Sequence, residues 1–193
     1  MSSPAEPTPP TPPAAPAPVI TRTEVTWRGE RLFDAGPAGR THRIDVAAKE
    51  APGPVETLLN AIATCSGIDV LDIIAKRKTP VERMTIHVAA ERRPEAPRRV
   101  RHLDIEFRID GAGIERDASE RAISLSFERY CSVAASLAPD IVTEIRLTLN
   151  GESFPAIAQH IWTPRSSRAY AAERWLSTSR RATGCGRRPA SAA

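Results

Sequence analysis

Apolar and polar positions along the chain switch between a period of two and a helical period, and those switches mark out the elements. Between Val19 and Phe33, the residues Val25, Trp27, Leu32 and Phe33 stand among polar neighbours, which predicts a strand running to a turn at Ala35-Gly36-Pro37. Ile44 and Val46 predict a second strand, and the short Gly-Pro-Ala-Gly link makes the two a hairpin. Ala51-Pro52-Gly53-Pro54 breaks the pattern, and Pro54 suits the first turn of a helix, where its missing N–H has no partner to lose. A helix is predicted from Pro54 to Lys78. Its apolar residues, among them Leu58, Leu59, Ile62, Ile68, Val70, Leu71, Ile73 and Ile74, occupy more than one stripe, so it should be buried on most sides. Lys76, Arg77 and Lys78 suit the negative end of its dipole, and Pro80 stops it.

Two further strands follow, with Met84, Ile86 and Val88 alternating in one and Leu103, Ile105, Phe107 and Ile109 in the other. A charged, proline-bearing loop, RRPEAPRR, connects them. Asp117 with Glu120 three residues later reads as a capping box opening a second helix that runs through Ile123 and Phe127 to about Leu137. Ile141 to Leu149 alternates once more as a last strand. The order ββαββαβ, with strand pairs interrupted by single helices, indicates an α+β domain of largely antiparallel sheet packed on two helices.

Composition adds boundaries to this picture. Hydrophobic residues (41%) and charged residues (26%) are near globular averages, but eight of the 18 prolines fall within the first 18 residues. That stretch, residues 1–18, reads as a disordered head without the apolar run of a secretory signal or a membrane span. The folded domain is expected over residues 19–153, and residues 154–193 are expected to form a disordered, arginine-rich tail. Seven arginines against Glu173 give residues 165–193 a net charge of +6, and Glu6 gives the head −1. With a total of +4, the residues between are left at −1, so the body has no electrostatic footprint for nucleic acid.

Three cysteines without a secretory signal point to a reducing compartment, the cytoplasm, and no CxxC pair or histidine cluster suggests a metal site. Cys65 lies mid-way along the first helix and Cys131 in the second, so two packed helices could bring the sulfurs together. A thiol pair of that kind suffices for two-electron peroxide chemistry, in which a thiolate becomes a sulfenic acid and then a disulfide. Two buried cysteines acting only as small hydrophobes fit the same pattern. Cys185, in the tail, receives no role.

The segments GPVETLLNAIATCSGIDVLDII and ERAISLSFERYCSVAASL, each centred on a cysteine and set within the ββαββαβ order, resemble the OsmC/Ohr family of osmotically inducible and organic hydroperoxide resistance proteins. The resemblance covers roughly Thr23 to Asn150. It implies an intertwined homodimer with two active sites that reduces organic hydroperoxides, with no cofactor beyond an external dithiol reductant, a protein or a small thiol. By position, Cys65 is then the peroxidatic cysteine and Cys131 the resolving one. Peroxidase members pair the reactive cysteine with an arginine and a glutamate; the candidates are Arg31, Arg28 and Glu56. A nearby guanidinium would raise the thiolate fraction. Glu56, nine residues before Cys65, is ~900° away on an ideal helix and therefore opposite it, so it serves only through an irregular first turn or across a dimer. The pattern departs from the peroxidases at Ser66 and Ser132, where they carry an aromatic residue and a proline. Asp69 and Asp72 disfavour a thiolate on the same helix. A non-enzymatic or redox-sensing dimeric module that keeps the fold and the cysteines, with little turnover, is the alternative function.

Overall fold

The computed structural model describes residues 19–157, which fall into two compact units dividing between Pro54 and Val55. The head, Cys185 and most of the arginine-rich tail lie outside the described residues.

The first unit is a three-stranded antiparallel meander, β1 (Glu24–Trp27), β2 (Leu32–Gly36) and β3 (His42–Asp45). Here the single strand expected through Phe33 is two strands. The chain turns back at Arg28-Gly29-Glu30, where Gly29 at φ 102° and Glu30 at φ 44° take left-handed conformations. Hydrogen bonds from the Leu32 amide to the Gly29 carbonyl (3.0 Å) and from the Arg28 amide to the Leu32 carbonyl (2.9 Å) close that turn. Polar residues that read as the outward face of a strand are thus the hairpin tip. Trp27, Phe33 and Ile44 are in register across the three strands, on one face. Asp45, 3% exposed, ends β3 and accepts from the amides of Ala47, Lys49 and Glu50 at 2.7, 2.8 and 3.1 Å, which shapes the following loop.

The second unit sets helices against a four-stranded sheet of order β4 (Arg83–Arg92), β5 (Val100–Asp110), β6 (Val142–Leu149) and β7 (Glu152–Ser153). β4 and β5 are antiparallel, as are β6 and β7, whereas β5 and β6 run parallel, which requires the long crossover between them. Leu103, Ile105, Phe107 and Ile109 of β5 and Ile145, Leu147 and Leu149 of β6 point to one face and form the core with Ile62, Val70 and Ile74 of helix α1 (Pro54–Ala75). Phe107 meets Phe127 edge-to-face at 6.3 Å. The other face of the sheet carries ion pairs, among them Arg146 with Asp104 and Arg108 with Glu106.

α1 is long and apolar enough to cross a membrane by length and composition, and in this fold it is the core helix of its unit. It is not buried on most sides as expected: only one stripe, Ile62, Ser66, Gly67, Val70 and Ile74, is buried, and Ile68 and Leu58 are exposed. It ends at Ala75, and the basic triplet expected in its last turn follows it, with Lys78 at φ 60°. Gly67 lets α1 close on the sheet, because a Cβ there would stand 2.8 Å from Ile86 Cδ1.

The second helix departs most from expectation. α2 spans Arg116–Leu125 with Glu115 at its N-cap, and Asp117 lies in the first turn; Arg116 pairs with Glu120 at 2.7 Å in place of a capping box. Beyond Leu125 the backbone winds as a π-helical segment, Ser126–Tyr130, breaks at Cys131 (ψ 96°), and resumes as the short helix α3, Ser132–Ala135. The Cys131 amide donates to the carbonyl of Ser126, five residues back, at 2.7 Å. After β7 the chain keeps to the core: the Phe154 amide donates to Leu147 O at 2.8 Å and that of Ile157 to Ile145 O at 2.7 Å. Both side chains pack on the core, so ordered structure passes the boundary expected at Ser153.

Candidate active site

Cys65 lies on α1 beside the buried Ser66 and is itself half-buried, at the margin of the helix's core-facing stripe. Ser66 satisfies its hydroxyl internally, donating to the Ile62 carbonyl at 2.8 Å. Cys131 is buried, 2% exposed, and occupies the break rather than the body of a helix. There it is the N-cap of α3, its Sγ accepting from the Ala134 amide at 3.4 Å.

The fold brings these two sulfurs within hydrogen-bonding reach. Their environments are unequal. Burial pushes the Cys65 thiol up, but the Val133 amide, the Cys131 thiol and the Ser132 hydroxyl all hydrogen-bond to its sulfur, and together they hold it below its ordinary value despite the Asp69 carboxylate. Burial also pushes Cys131 up, as does the neighbouring Cys65, and against the Ala134 and Val133 amides they take it to about 11. Of the two sulfurs, Cys65 is therefore the one that ionises more readily.

Two serines complete the site: Ser132, noted in the sequence only as a departure from the peroxidase pattern, and Ser126, which the sequence did not single out. Ser132 Oγ stands 3.9 Å from Cys65 Sγ. Ser126, fully buried, donates to Asp69 Oδ2 at 2.9 Å and also approaches the Ser66 carbonyl at 3.4 Å. Asp69 was read as a charge opposing the thiolate and acts in that direction, while its bond to Ser126 also ties α1 to the π-helical segment. An apolar cavity of about 30 Å³ lies alongside, lined by Ile62, Leu103, Phe127, Ala134, Leu137 and Ile141 among others. Ile62 and Phe127 line it, whereas Leu58 is 38% exposed.

The remaining candidates sit apart from this pair or in the other unit. Glu56 is in the first turn of α1, which is helical from Pro54 onward, so it lies ~13 Å along the axis from Cys65 and on the opposite side. In the first unit Arg28 is paired to Asp34 at 2.7 Å, a carboxylate that Arg43 also holds at 3.0 Å. Arg31 has an exposed side chain, and its carbonyl accepts from the Val46 amide at 3.0 Å.

The OsmC-like protein family matches residues 47–146, just over half of the 193-residue chain. Protein YhfA of Escherichia coli K12 is 41% identical over 111 residues, which cover 56% of this chain and 83% of that protein. Among solved structures, a hypothetical protein from Aquifex aeolicus VF5 is similar with a TM-score of 0.62 and 27% identity, over 67% of this chain and 96% of that one. An OsmC like protein from Mycoplasma pneumoniae shares the fold, with a TM-score of 0.60 at 14% identity over 66% of this chain and 95% of the other.

Proposed function

The chain belongs to the OsmC-like protein family, and from that premise we propose that it reduces organic hydroperoxides with Cys65 as nucleophile and Cys131 as resolver. The observation that carries the reading is the unequal sulfur pair, one held toward the thiolate and the other held as a thiol beside it. The Cys65 thiolate attacks a peroxide oxygen, so that an S–O bond forms and the O–O bond breaks. Sulfur loses two electrons, and the departing alkoxide takes a proton and leaves as an alcohol. That step removes the charge from Cys65, and with it the contribution of Cys65 that raises Cys131. The resolver therefore becomes easier to ionise once there is a sulfenic acid to attack. Its sulfur then bonds to Cys65, the S–O bond breaks, and hydroxide leaves as water after taking a proton. An external dithiol returns the disulfide to two thiols. In this reading the substrate is an organic peroxide; the apolar cavity lined by Ile62 and Phe127 has room only for a water-sized group, so an alkyl or lipid chain would bind outside it.

The guanidinium that would support the thiolate is assigned first to Arg31, because Arg28 is engaged with Asp34. Glu56, too far along α1 to serve the Cys65 of its own chain, takes its part from a second copy in this reading. α1 also asks for a second copy on physical grounds, since Ile68 (54% exposed) and Leu58 leave apolar surface on its outer side. The reading is completed by a homodimer, which this surface supports, working in a reducing compartment, the cytoplasm.

With Cys185 replaced by serine throughout, Cys65→Ser should consume no cumene hydroperoxide. Cys131→Ser should consume one equivalent and leave a sulfenic acid trapped by dimedone. Equal, slow oxidation of both variants would overturn the assignment. One round of oxidation in the wild type with no turnover on dithiol would leave the redox-sensing reading in its place.

A further inference from the structure

The contact between Ser132 and Cys65 joins residues 67 apart in sequence, so it is made by the fold and not by helix repetition. A thiolate carries no hydrogen, and in that state the hydroxyl must be the donor across the 3.9 Å separation. The serine is exposed on α3, so its side chain contributes little to packing. Its backbone is fixed nonetheless: the Ser132 carbonyl accepts from the Ser136 hydroxyl at 2.7 Å, and the preceding residue caps the same turn through its sulfur. One short segment thus presents both the resolving thiol and a hydroxyl to the same sulfur. The titratable groups acting on that sulfur include Asp69 from its own helix, which opposes the negative charge, and Cys131 from the facing segment.

We propose that the Ser132 hydroxyl is a catalytic hydrogen-bond donor to the Cys65 sulfur, holding it as a thiolate and facing the Cys131 thiol. The proposal rests on the two-cysteine reading and gives the donor's part to a position that was read only as a departure from the peroxidase pattern. It requires a hydroxyl and nothing else of the side chain, so threonine should replace serine and alanine should not.

The test uses the full chain with Cys185→Ser, comparing wild type, Ser132→Ala and Ser132→Thr. Alkylation of Cys65 by iodoacetamide is followed against pH by peptide mass spectrometry, alongside thermal melting. Loss of one donor to a charged sulfur should slow alkylation at pH 7 about two- to fourfold and move the midpoint upward. The plateau rate at high pH should rise about twofold, because a more basic thiolate is the better nucleophile. A structural defect would not give those opposite changes. Ser132→Thr should restore the wild-type profile, and neither variant should alter the melt. An unmoved midpoint in Ser132→Ala, or a Ser132→Thr profile that matches alanine, overturns the proposal. The readout needs no turnover: a shifted midpoint in a protein that fails to reduce peroxide catalytically would uphold the donor and remove the peroxidase reading.

Discussion

Replacing Asp69 by asparagine removes a negative charge from beside Cys65 while leaving an oxygen to which Ser126 can still donate. The two residues are four apart on α1, which sets their side chains about 6 Å from each other. At that distance unit charges interact by about 0.7 kcal/mol under water-like screening and about 2.8 kcal/mol at an effective dielectric near 20. Cys65 is half-buried and open to water on one side, so the lower figure governs. It corresponds to about a threefold gain in thiolate fraction below the midpoint. Part of that gain is returned, since the less basic sulfur is intrinsically slower, and the net expectation at pH 7 is about twofold faster alkylation with a plateau lowered by a similar factor.

The assay is the pH profile of Cys65 alkylation in the full chain with Cys185→Ser. The Asp69→Ala variant is the contrast. It removes the same charge but also takes away the nearer acceptor of the buried Ser126 hydroxyl, leaving it the Ser66 carbonyl at 3.4 Å, so it should shift the profile alike and in addition cost about 1 kcal/mol of stability. An Asp69→Asn midpoint equal to wild type would show that the charge does not reach the sulfur. A midpoint moved upward would mean that Asp69 holds the thiolate up indirectly, through Ser126 and the segment that carries Cys131, and the electrostatic reasoning would be wrong in sign.

Other consequences can be measured without the active site. Asp45 is held below the usual carboxylate range by amide hydrogen bonds from Glu50, Lys49 and Ala47, in that order of effect. A carboxyl with a depressed folded pKa contributes stability that is complete above its unfolded value of 3.8 and lost as pH falls through the folded one, so the first unit should weaken at acid pH. Asp45→Asn should flatten that acid limb in a melt-versus-pH series, and an unchanged limb would exclude the loop as its source. A truncation after Ser153 removes the core contacts of Phe154 and Ile157 and the stacking of Arg116 on Phe154 at 4.4 Å, and should melt about 5–10 °C below one made after Ile157. Equal melting of the two would show that these residues only rest on the core.

The parts of the fold that were legible in the sequence are those in which side-chain period and backbone period agree. Ile105, Phe107 and Ile109 alternate because one face of β5 is core, and α1 was legible as a helix by its length and apolar content, although only one of its stripes is buried. Parallel pairing of β5 with β6 leaves no such trace, since a strand presents the same alternation in either direction. The hairpin tip at Arg28-Gly29-Glu30 was hidden for a similar reason, because polar residues fit both a tip and the outer face of a strand. Of the candidate site, the two cysteines stood out through the family resemblance. The donors around them did not: Ser66, Ser126 and Ser132 are three serines with no distinguishing composition, and only the fold separates the fully buried partner of Asp69 from the exposed neighbour of Cys65.

The unequal character of the two sulfurs traces back to one extra residue in the backbone. Had α2 continued as a regular helix, the Cys131 amide would have bonded to the carbonyl of Phe127, four residues back, and its side chain would have projected as one more residue on a helix face. The π-helical segment moves that bond to Ser126, and the chain then leaves helical geometry at Cys131 itself. Two results follow. The Cys131 sulfur accepts the Ala134 amide as a cap, so its own proton is the part left to offer Cys65; and α3 restarts with the Val133 amide and the Ser132 hydroxyl directed at the Cys65 sulfur. Meanwhile the Ser126 hydroxyl is turned onto Asp69, anchoring the start of the segment to the helix that bears Cys65. The irregular turn therefore underlies the difference between the sulfurs: at Cys65 the donors outweigh burial, whereas at Cys131 burial and the neighbouring Cys65 outweigh the Ala134 and Val133 amides, and on the proposed reading that difference would separate nucleophile from resolver.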